Sequence, residues 1–570
     1  MVMSNLKTMT VICGTILVLF IVSACHLNDD IPSPPFETDD EIESVLPSTD
    51  EALPPDSDEG VNEPMVLALN WGNDPPNLDP QTANDQVSMW ILNSVFEGLM
   101  RMNPDGTIGM GLAESYEVSE DECTYTFTLR EAYWSNGDII TAHDFKRSWL
   151  RAIDPETASN YAYQLFYIEG ARGYYQGNLD DISAVGIQVI DASTLRITLE
   201  SPIAYFLALT TFPTYFPTHE SFDDHDGIAF NQFNSGLIFS GPYKIGSWEK
   251  EKNLTLVKNE HYHDADSVKL DKIVGYILKE NNKILQKYEQ NELDFIVLPV
   301  EYIEKYRHSS EYQTLAEATT WYLMFNTESK FFSNHKMRLA FSLGTDADAY
   351  VNVIAQNSGV VAEGFSPPSM AGKDHSFSED RYAVLPSYDP VRAREIFQEA
   401  LEEMDITLDE FENEVTILSE YGDTWNRRAQ FFQSQWKENL GVNLFIEQLS
   451  FSERLQRYEE KDYEIAYVGW GGEFNDPISF MGMLVSEGGN NFTNWSHPDY
   501  DNYIKQATLT IGDERIDALT HAEAIIADEL PIYPIYHPNK NLAIKSYVKG
   551  LAIFPVGSDY DFKWTYIERQ

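Results

Sequence analysis

A chain of 570 residues has room for three or four domains at about 150 residues each, and a hydrophobic content of 43% excludes wholesale disorder. Acidic side chains number 91 against 39 basic ones, a formal charge of −52. That excludes nucleic acid as a partner, because phosphate binding needs clustered Lys and Arg; the acidic surface serves solubility.

The first 25 residues read as an address. One positive charge, Lys7, precedes an apolar run from Val11 to Val22, about 12 residues where a membrane-spanning helix needs roughly 20. A short basic region followed by a short apolar region has the build of an export signal. Its end, Val22-Ser23-Ala24-Cys25, resembles the lipobox of bacterial lipoproteins, which implies that residues 1–24 are a signal peptide and that Cys25 is acylated, tethering the mature protein to the cell membrane. Residues 25–64 differ in kind from the rest: from His26 to Pro64 there are 13 Asp or Glu, seven Pro and no Lys or Arg. Such a segment buries too little apolar surface to offset its ordering entropy, and its charges and prolines extend it into a stalk. Cys13 and Cys25 both belong to this N-terminal part, so Cys123 alone falls in the body and no internal disulfide forms there.

From Met65 onward the periodicity alternates between two and 3.6, the pattern of an α/β protein. Strands are predicted over Val66–Trp71, Thr124–Arg130, Thr194–Glu200, Leu254–Asn259, Lys272–Leu278, Phe295–Pro299, Val415–Ser419, Val442–Gln448 and Ile465–Trp470. Helices are predicted over Val87–Met102, Ala142–Ile153, Pro390–Met404, Trp425–Asn439, Ser452–Glu459 and Glu514–Leu530. Thr141 with Asp144 three residues on has the form of a capping box, and Gly441 stands where a left-handed C-cap belongs. No short-period repeat is present. The 32 Tyr, 31 Phe and 11 Trp supply rings that offer both an apolar face and, in Tyr and Trp, a hydrogen-bonding edge, which suits a cleft for varied ligands as well as a core.

Motifs for chemistry are missing. The sequence has no Gly-x-Ser-x-Gly elbow, His-Glu-x-x-His, Cys-x-x-Cys or phosphate-cradling glycine loop. His261 and His263, within Glu260-His261-Tyr262-His263-Asp264, are two apart and would face opposite sides of a strand, so a shared metal is not expected. Neither cofactor nor catalytic residue is assigned.

A series of short segments then resembles one family throughout the body: Asp74-Pro75-Pro76-Asn77-Leu78-Asp79-Pro80, Phe96-Glu97-Gly98-Leu99, Leu112-Ala113-Glu114-Ser115-Tyr116, Tyr125-Thr126-Phe127-Thr128-Leu129-Arg130, Trp134-Ser135-Asn136-Gly137-Asp138, Thr141-Ala142-His143-Asp144-Phe145, Gly241-Pro242-Tyr243, Lys269-Leu270-Asp271-Lys272-Ile273 and Asn291-Glu292-Leu293-Asp294. In this order they resemble the extracytoplasmic solute-binding proteins of the oligopeptide- and dipeptide-binding kind, the receptors of peptide-importing ABC transporters. The resemblance implies a two-lobed periplasmic-binding-protein-like α/β fold with an extra third domain, hinged around a buried cleft. Lobe I would take 65–86, 203–312 and 537–570, the extra domain 87–202, and lobe II 313–536.

The resemblance also implies the ligand residues. The family's binding signature aligns with Tyr467-Val468-Gly469-Trp470-Gly471-Gly472-Glu473-Phe474-Asn475-Asp476-Pro477. Peptide-binding members carry an Asp at the position of Glu473, where it pairs with the ligand's α-ammonium; an enclosed cation must meet an anion or lose its solvation uncompensated. Glu473 keeps the charge on a longer side chain. Gly469 and Trp470 would end a strand that pairs with an extended peptide, Asn475 follows in the same loop, and Asp74 and Asn77 would supply the opposite wall. Tyr467 departs from members that have an arginine there to help hold the peptide carboxylate. The expected function is a lipid-anchored, monomeric receptor that passes short peptides to an ABC permease and its ATPase and performs no chemistry itself. The alternatives are the same fold holding a sugar, a nickel complex or a signalling peptide, and, further off, a surface hydrolase, a chaperone or an adhesin.

Overall fold

The apolar alternation beginning at Val66 becomes strand β1 (Val66–Asn70), with Leu67 and Leu69 turned inward. The computed structural model describes residues 64–570 except 223–236, 374, 383, 473, 487–490 and 570. The expected leader, Cys25, the stalk up to residue 63, and Glu473 lie outside the described residues. After β1, helix α1 (Gln86–Val95) starts at Asp85, whose side chain accepts from the Ser88 N–H. The periodicity predicted a helix on to Met102, but Phe96 turns extended and Met100–Met102 pairs with Ile108–Met110 as a hairpin. Gly98 explains the stop: a Cβ there would lie 2.3 Å from the Thr210 carbonyl oxygen, so backbone packs where a helix would need side chains.

An antiparallel sheet follows, from β2 (Ala113–Val118), β3 (Thr124–Leu129), β4 (Ile187–Asp191) and β5 (Thr194–Thr198), in the order β2-β3-β5-β4. Tyr125, Phe127 and Leu129 alternate into its core. Between β3 and β4, helix α2 (Ala142–Ala152) opens with the expected capping box, the Thr141 N–H donating to Asp144 at 2.8 Å.

Strands β6 (Tyr243–Glu249), β7 (Asn253–Lys258) and β8 (Lys272–Tyr276) then return to β1, giving the order β1-β8-β7-β6 with β1 and β8 parallel. Gly275 in β8 is required by contact: a Cβ there would fall 1.7 Å from the indole nitrogen of Trp71. Helix α3 (Asn281–Glu289) leads through Asn291, at φ +59°, to β9 (Phe295–Val297). Asp294 on that connection accepts from the Ala68 N–H and from the Tyr547 hydroxyl, tying the turn to β1 and to the C-terminal segment.

The remaining strands make one large mixed sheet. They are β10 (Tyr312–Ala316), β11 (Thr319–Phe325), β12 (Gly359–Val361), β13 (Thr416–Glu420), β14 (Phe445–Leu449), β15 (Ile465–Gly471) and β16 (Ile532–Ile544). The order is β9-β16-β11-β15-β13-β14, with β10 and β12 also on β16. β13 lies parallel to β14 and β15, connected through helices α4 (Asp423–Asn439) and α5 (Phe451–Glu459). Gly441, just past α4, takes φ +81°. β16 spans two territories: Ile532–Tyr536 pairs with β11, and Asn539–Ile544 pairs with β10 and β9. Phe332, Phe341, Phe411 and Trp436 fill the core on the α4 side of this sheet.

Candidate functional site

In an α/β sheet, ligands bind outside the carboxyl ends of parallel strands, where helix starts and loops converge. Here β13 and β14 end at Glu420 and Leu449, and β15 runs on beyond them to Gly471. The residues that follow are aromatic and uncovered: Tyr421 is 62% exposed and Phe451 61%. Beside them Trp425 and Trp321 meet edge to face at 5.7 Å, and Trp321 stacks on Tyr467 at 5.4 Å. Two guanidinium groups sit among these rings. Arg428 lies 4.3 Å from the Trp321 centroid, and Arg454 lies 4.6 Å from Trp425 while pairing with Glu420 at 2.8 Å.

The edge of β15 is open. On one side it runs antiparallel to β11 along its whole length, Trp321 opposite Gly469. On the other it pairs with β13 only at Ile465 and Ala466. From Tyr467 to Gly471 no strand among the described residues covers that edge, and antiparallel pairing leaves alternate N–H and C=O groups directed away from β11. Gly469 and Gly471 are exposed. Gly469 cannot carry a side chain, since a Cβ would meet the Trp321 ring at 2.9 Å.

The loop after β15 is pinned. The Trp470 indole N–H donates to the Ser479 carbonyl at 2.7 Å, Gly472 N–H donates to Ala318, and the Asn475 side chain accepts from the Ala371 N–H at 3.0 Å. Asp476 caps the turn at Ile478 and pairs with the buried Arg515 at 2.7 Å. Phe474 crosses to the neighbouring region and stacks on Tyr205 at 4.5 Å. On one side of Phe474, a cavity of about 40 Å³ is bounded by Asn93, Gln164, Phe212, Asn475 and Asp561. That holds waters but no peptide, so a ligand enters there only if the walls separate. On the other side Tyr163, Tyr167, Trp470 and Met483 line a groove of about 610 Å³, within the range of ligand pockets.

The other residues expected to contact ligand are committed elsewhere. Asp74 accepts from the Trp248 indole N–H at 2.6 Å and from the Glu251 N–H at 2.7 Å, so both oxygens hold the β6–β7 hairpin. Asn77 donates to Thr82 and accepts from Asp79, closing its own turn. Tyr467 is buried among Tyr350, Phe432 and Trp321 rather than lying open. The structure thus brings together Gly469, Trp470 and Asn475, and sets Asp74 and Asn77 to architectural tasks. Sequence reading missed Trp321, Tyr421, Trp425, Arg428 and Phe451. Tyr421 and Phe451 carried a usable signal, an aromatic residue two or three positions after the predicted strands Val415–Ser419 and Val442–Gln448.

Of the two histidines, His263 belongs to a buried ion-pair cluster. Glu97, 1% exposed, accepts from His263 Nε2 and from the Tyr262 hydroxyl, both at 2.6 Å, and pairs with Arg101 at 3.1 Å. Arg101 also pairs with Asp561 at 2.7 Å, and Arg130 donates to His263 Nδ1. Burial alone would raise the Glu97 carboxyl, but the His263 hydrogen bond and the Arg101 guanidinium hold it at about 2. Among the described residues, no group of three or more His, Cys, Asp or Glu is arranged to hold a metal ion, and no helix is long and apolar enough to cross a membrane.

Comparison with known proteins gives a consistent picture. Residues 107–492 match the model of the bacterial extracellular solute-binding proteins, family 5. The oligopeptide-binding protein OppA of Bacillus subtilis is 33% identical over 87% of this chain and 91% of its own length, and the dipeptide-binding protein DppE of the same organism is 29% identical over 88% and 91%. Among solved structures, Listeria monocytogenes OppA bound to peptide superposes with a TM-score of 0.71 at 30% identity, covering 89% of this chain and all of that one. The pheromone receptor PrgZ superposes with a TM-score of 0.72 at 27% identity over 89% of this chain and all of that one.

Proposed function

Since the chain belongs to the family 5 bacterial extracellular solute-binding proteins and shares their multi-domain periplasmic-binding fold, we propose that it captures short peptides outside the cytoplasm and delivers them to the permease of an ABC importer. The observation that carries this reading is the open edge of β15 from Tyr467 to Gly471. An extended peptide adds there as a further strand, bonding through its main chain, so affinity does not depend on particular side chains. Tyr421, Phe451 and Trp425 give those side chains apolar surface. Glu473, one residue after the Gly471-Gly472 pair, meets the peptide's ammonium group, and Trp470 and Asn475 hold the loop that carries it. The protein works by enclosure rather than chemistry: two lobes, 65–86 with 203–312 and 537–570 against 313–536, move about the crossing strands, with 87–202 as a third domain. It acts as a monomer without a cofactor, anchored by lipid on Cys25, and Cys25→Ser releases it from membranes in a detergent-partition assay.

Native mass spectrometry of the compact body, residues 63–570, before and after addition of a mixed peptide pool tests the reading. Retained masses of two- to five-residue peptides are the expected result. A bound sugar or metal complex with no retained peptide would keep the family and overturn the ligand. Glu473→Gln weakens binding by about 3 kcal/mol, the cost of leaving a buried charge unpaired, and N-acetylated peptides lose affinity in the same way; equal affinity for free and acetylated peptides would remove Glu473 from the site.

A further inference from the structure

The loop that carries Glu473 is gripped from two sides. Three residues on, Asp476 Oδ1 accepts from the Ile478 N–H at 2.9 Å and from the Arg515 guanidinium at 2.7 Å. The Asp476 N–H donates to the Phe474 carbonyl at 2.8 Å, closing Phe474–Asp476 into a tight turn. Arg515 projects from helix α6 (Gly512–Glu529), is 4% exposed, and has Asp476 as its one carboxylate partner among the described residues. Its Nε is sealed from water with no acceptor. On its other flank lies Tyr205, from the stretch between β5 and β6, with the ring centroid 5.9 Å from the guanidinium carbon. The same ring stacks on Phe474 at 4.5 Å. Tyr205 therefore touches both ends of the turn, its aromatic end directly and its charged end through Arg515. Burial and Tyr167 raise the Tyr205 phenol; Asp476 adds to the rise and Arg515 opposes it.

A buried ion pair adds little net stability, because desolvation offsets the attraction, but it tolerates the loss of neither partner. What it supplies is a fixed position. Its attraction falls several-fold once water reaches it. Tyr205 covers the guanidinium, so parting Tyr205 from Phe474 loosens the stack and wets the ion pair in one movement. We propose that Arg515 is a positioning residue: paired with Asp476 and covered by Tyr205, it holds the loop so that the Glu473 carboxylate meets the ligand's ammonium group, and it does so fully only while Tyr205 is docked. This rests on the peptide reading and on the assignment of Glu473 given above. In that reading Tyr205 belongs to one lobe and the loop to the other, so recognition of the ammonium is tied to closure. A peptide without an ammonium group gains nothing from the arrangement.

Isothermal titration of the body, residues 63–570, with tetra-alanine and with N-acetyl-tetra-alanine reads the proposal as a ratio of affinities. The wild-type protein binds the free peptide roughly a hundredfold more tightly, the scale of leaving a buried charge unpaired. Arg515→Met brings that ratio below about tenfold and leaves affinity for the acetylated peptide within about twofold. Arg515→Lys, which keeps a cation for Asp476 but not the fork, restores part of the ratio. Tyr205→Leu, which keeps bulk but loses the ring face, also lowers it. Arg515→Met strands the Asp476 charge, so it is combined with Asp476→Asn: the melting temperature returns toward the wild-type value while the ratio stays low. A merely structural role would restore both together. If Arg515→Met and the double variant keep the wild-type ratio, the assignment of Arg515 is wrong and the peptide reading stands. If the wild-type protein binds the two peptides equally, Glu473 leaves the site and this proposal falls with it. If it binds neither, the peptide reading itself fails and the proposal with it.

Discussion

Glu97 and Arg428 are both charged groups set among aromatic rings, and they have been treated oppositely by the fold. Around Glu97, Tyr262, His263 and Arg101 contribute a donor each, Asp561 balances Arg101, and the whole group is sealed from water. Around Arg428 the rings are present but the counter-charge is not, and Tyr421 and Phe451 nearby face solvent. A buried charge persists only when its partners are complete. The first cluster is therefore complete within the folded chain, whereas Arg428 is only half-buried and stays open to solvent. Among groups made of the same parts, complete pairing marks the buried core, and exposed rings such as Tyr421 and Phe451 mark a surface left open.

The contrast breaks most visibly at Glu97. Glu97→Gln removes the carboxylate shared by Arg101, His263 and Tyr262, leaves Arg101 with Asp561 alone and lowers unfolding free energy by about 3 kcal/mol, read by urea titration at pH 7; a loss below 1 kcal/mol would mean the cluster is dispensable. Acid gives the next effect. A carboxyl near 2 in the folded state against 4.5 in the open chain contributes stability above pH 4.5 and loses it as pH falls toward 2. The gap between wild type and Glu97→Gln accordingly narrows across that window, and a gap independent of pH would show that the carboxylate is not what stabilises. Phe474→Ala removes the stack on Tyr205 and weakens peptide binding by about 1 kcal/mol, with the melting temperature little changed. Phe451→Ala alters unfolding free energy by less than about 0.5 kcal/mol yet lowers peptide affinity several-fold. If Phe451→Ala instead destabilised the protein, its ring would be core and the comparison would collapse.

Much of this was legible before any coordinates. Each of the nine strands expected from alternation overlaps an observed strand, and helices beginning at Ala142 and Pro390 start where their N-caps place them. The strands that escaped include β2, β4, β6, β10 and β12 and, at the centre of the large sheet, β11 and β16. β16 contains Pro534 and Pro538, and proline within an apolar run argues against a central strand; here Pro534 sits beside the register shift at Trp321 and Tyr322, and Pro538 falls where pairing passes from β11 to β10. β11, Thr-Thr-Trp-Tyr-Leu-Met-Phe, is buried on both faces along much of its length and so lacks alternation. The signature loop was visible as a motif. The cage around Arg428 was not, because it depends on Trp321 and Gly469 meeting across about 150 residues and on the rotation of α4, neither of which any local pattern encodes.

The bare edge of β15 also bears on how copies of this protein behave toward one another. An edge strand with free N–H and C=O groups is a template for any extended chain, a second copy included. With −52 net charges, two copies repel at low ionic strength, and that repulsion fades as salt shortens its range to about 10 Å at 0.1 M. Empty protein in concentrated, salty solution is thus the form most prone to self-association, and peptide acts on it as a solubilising agent by occupying the edge first.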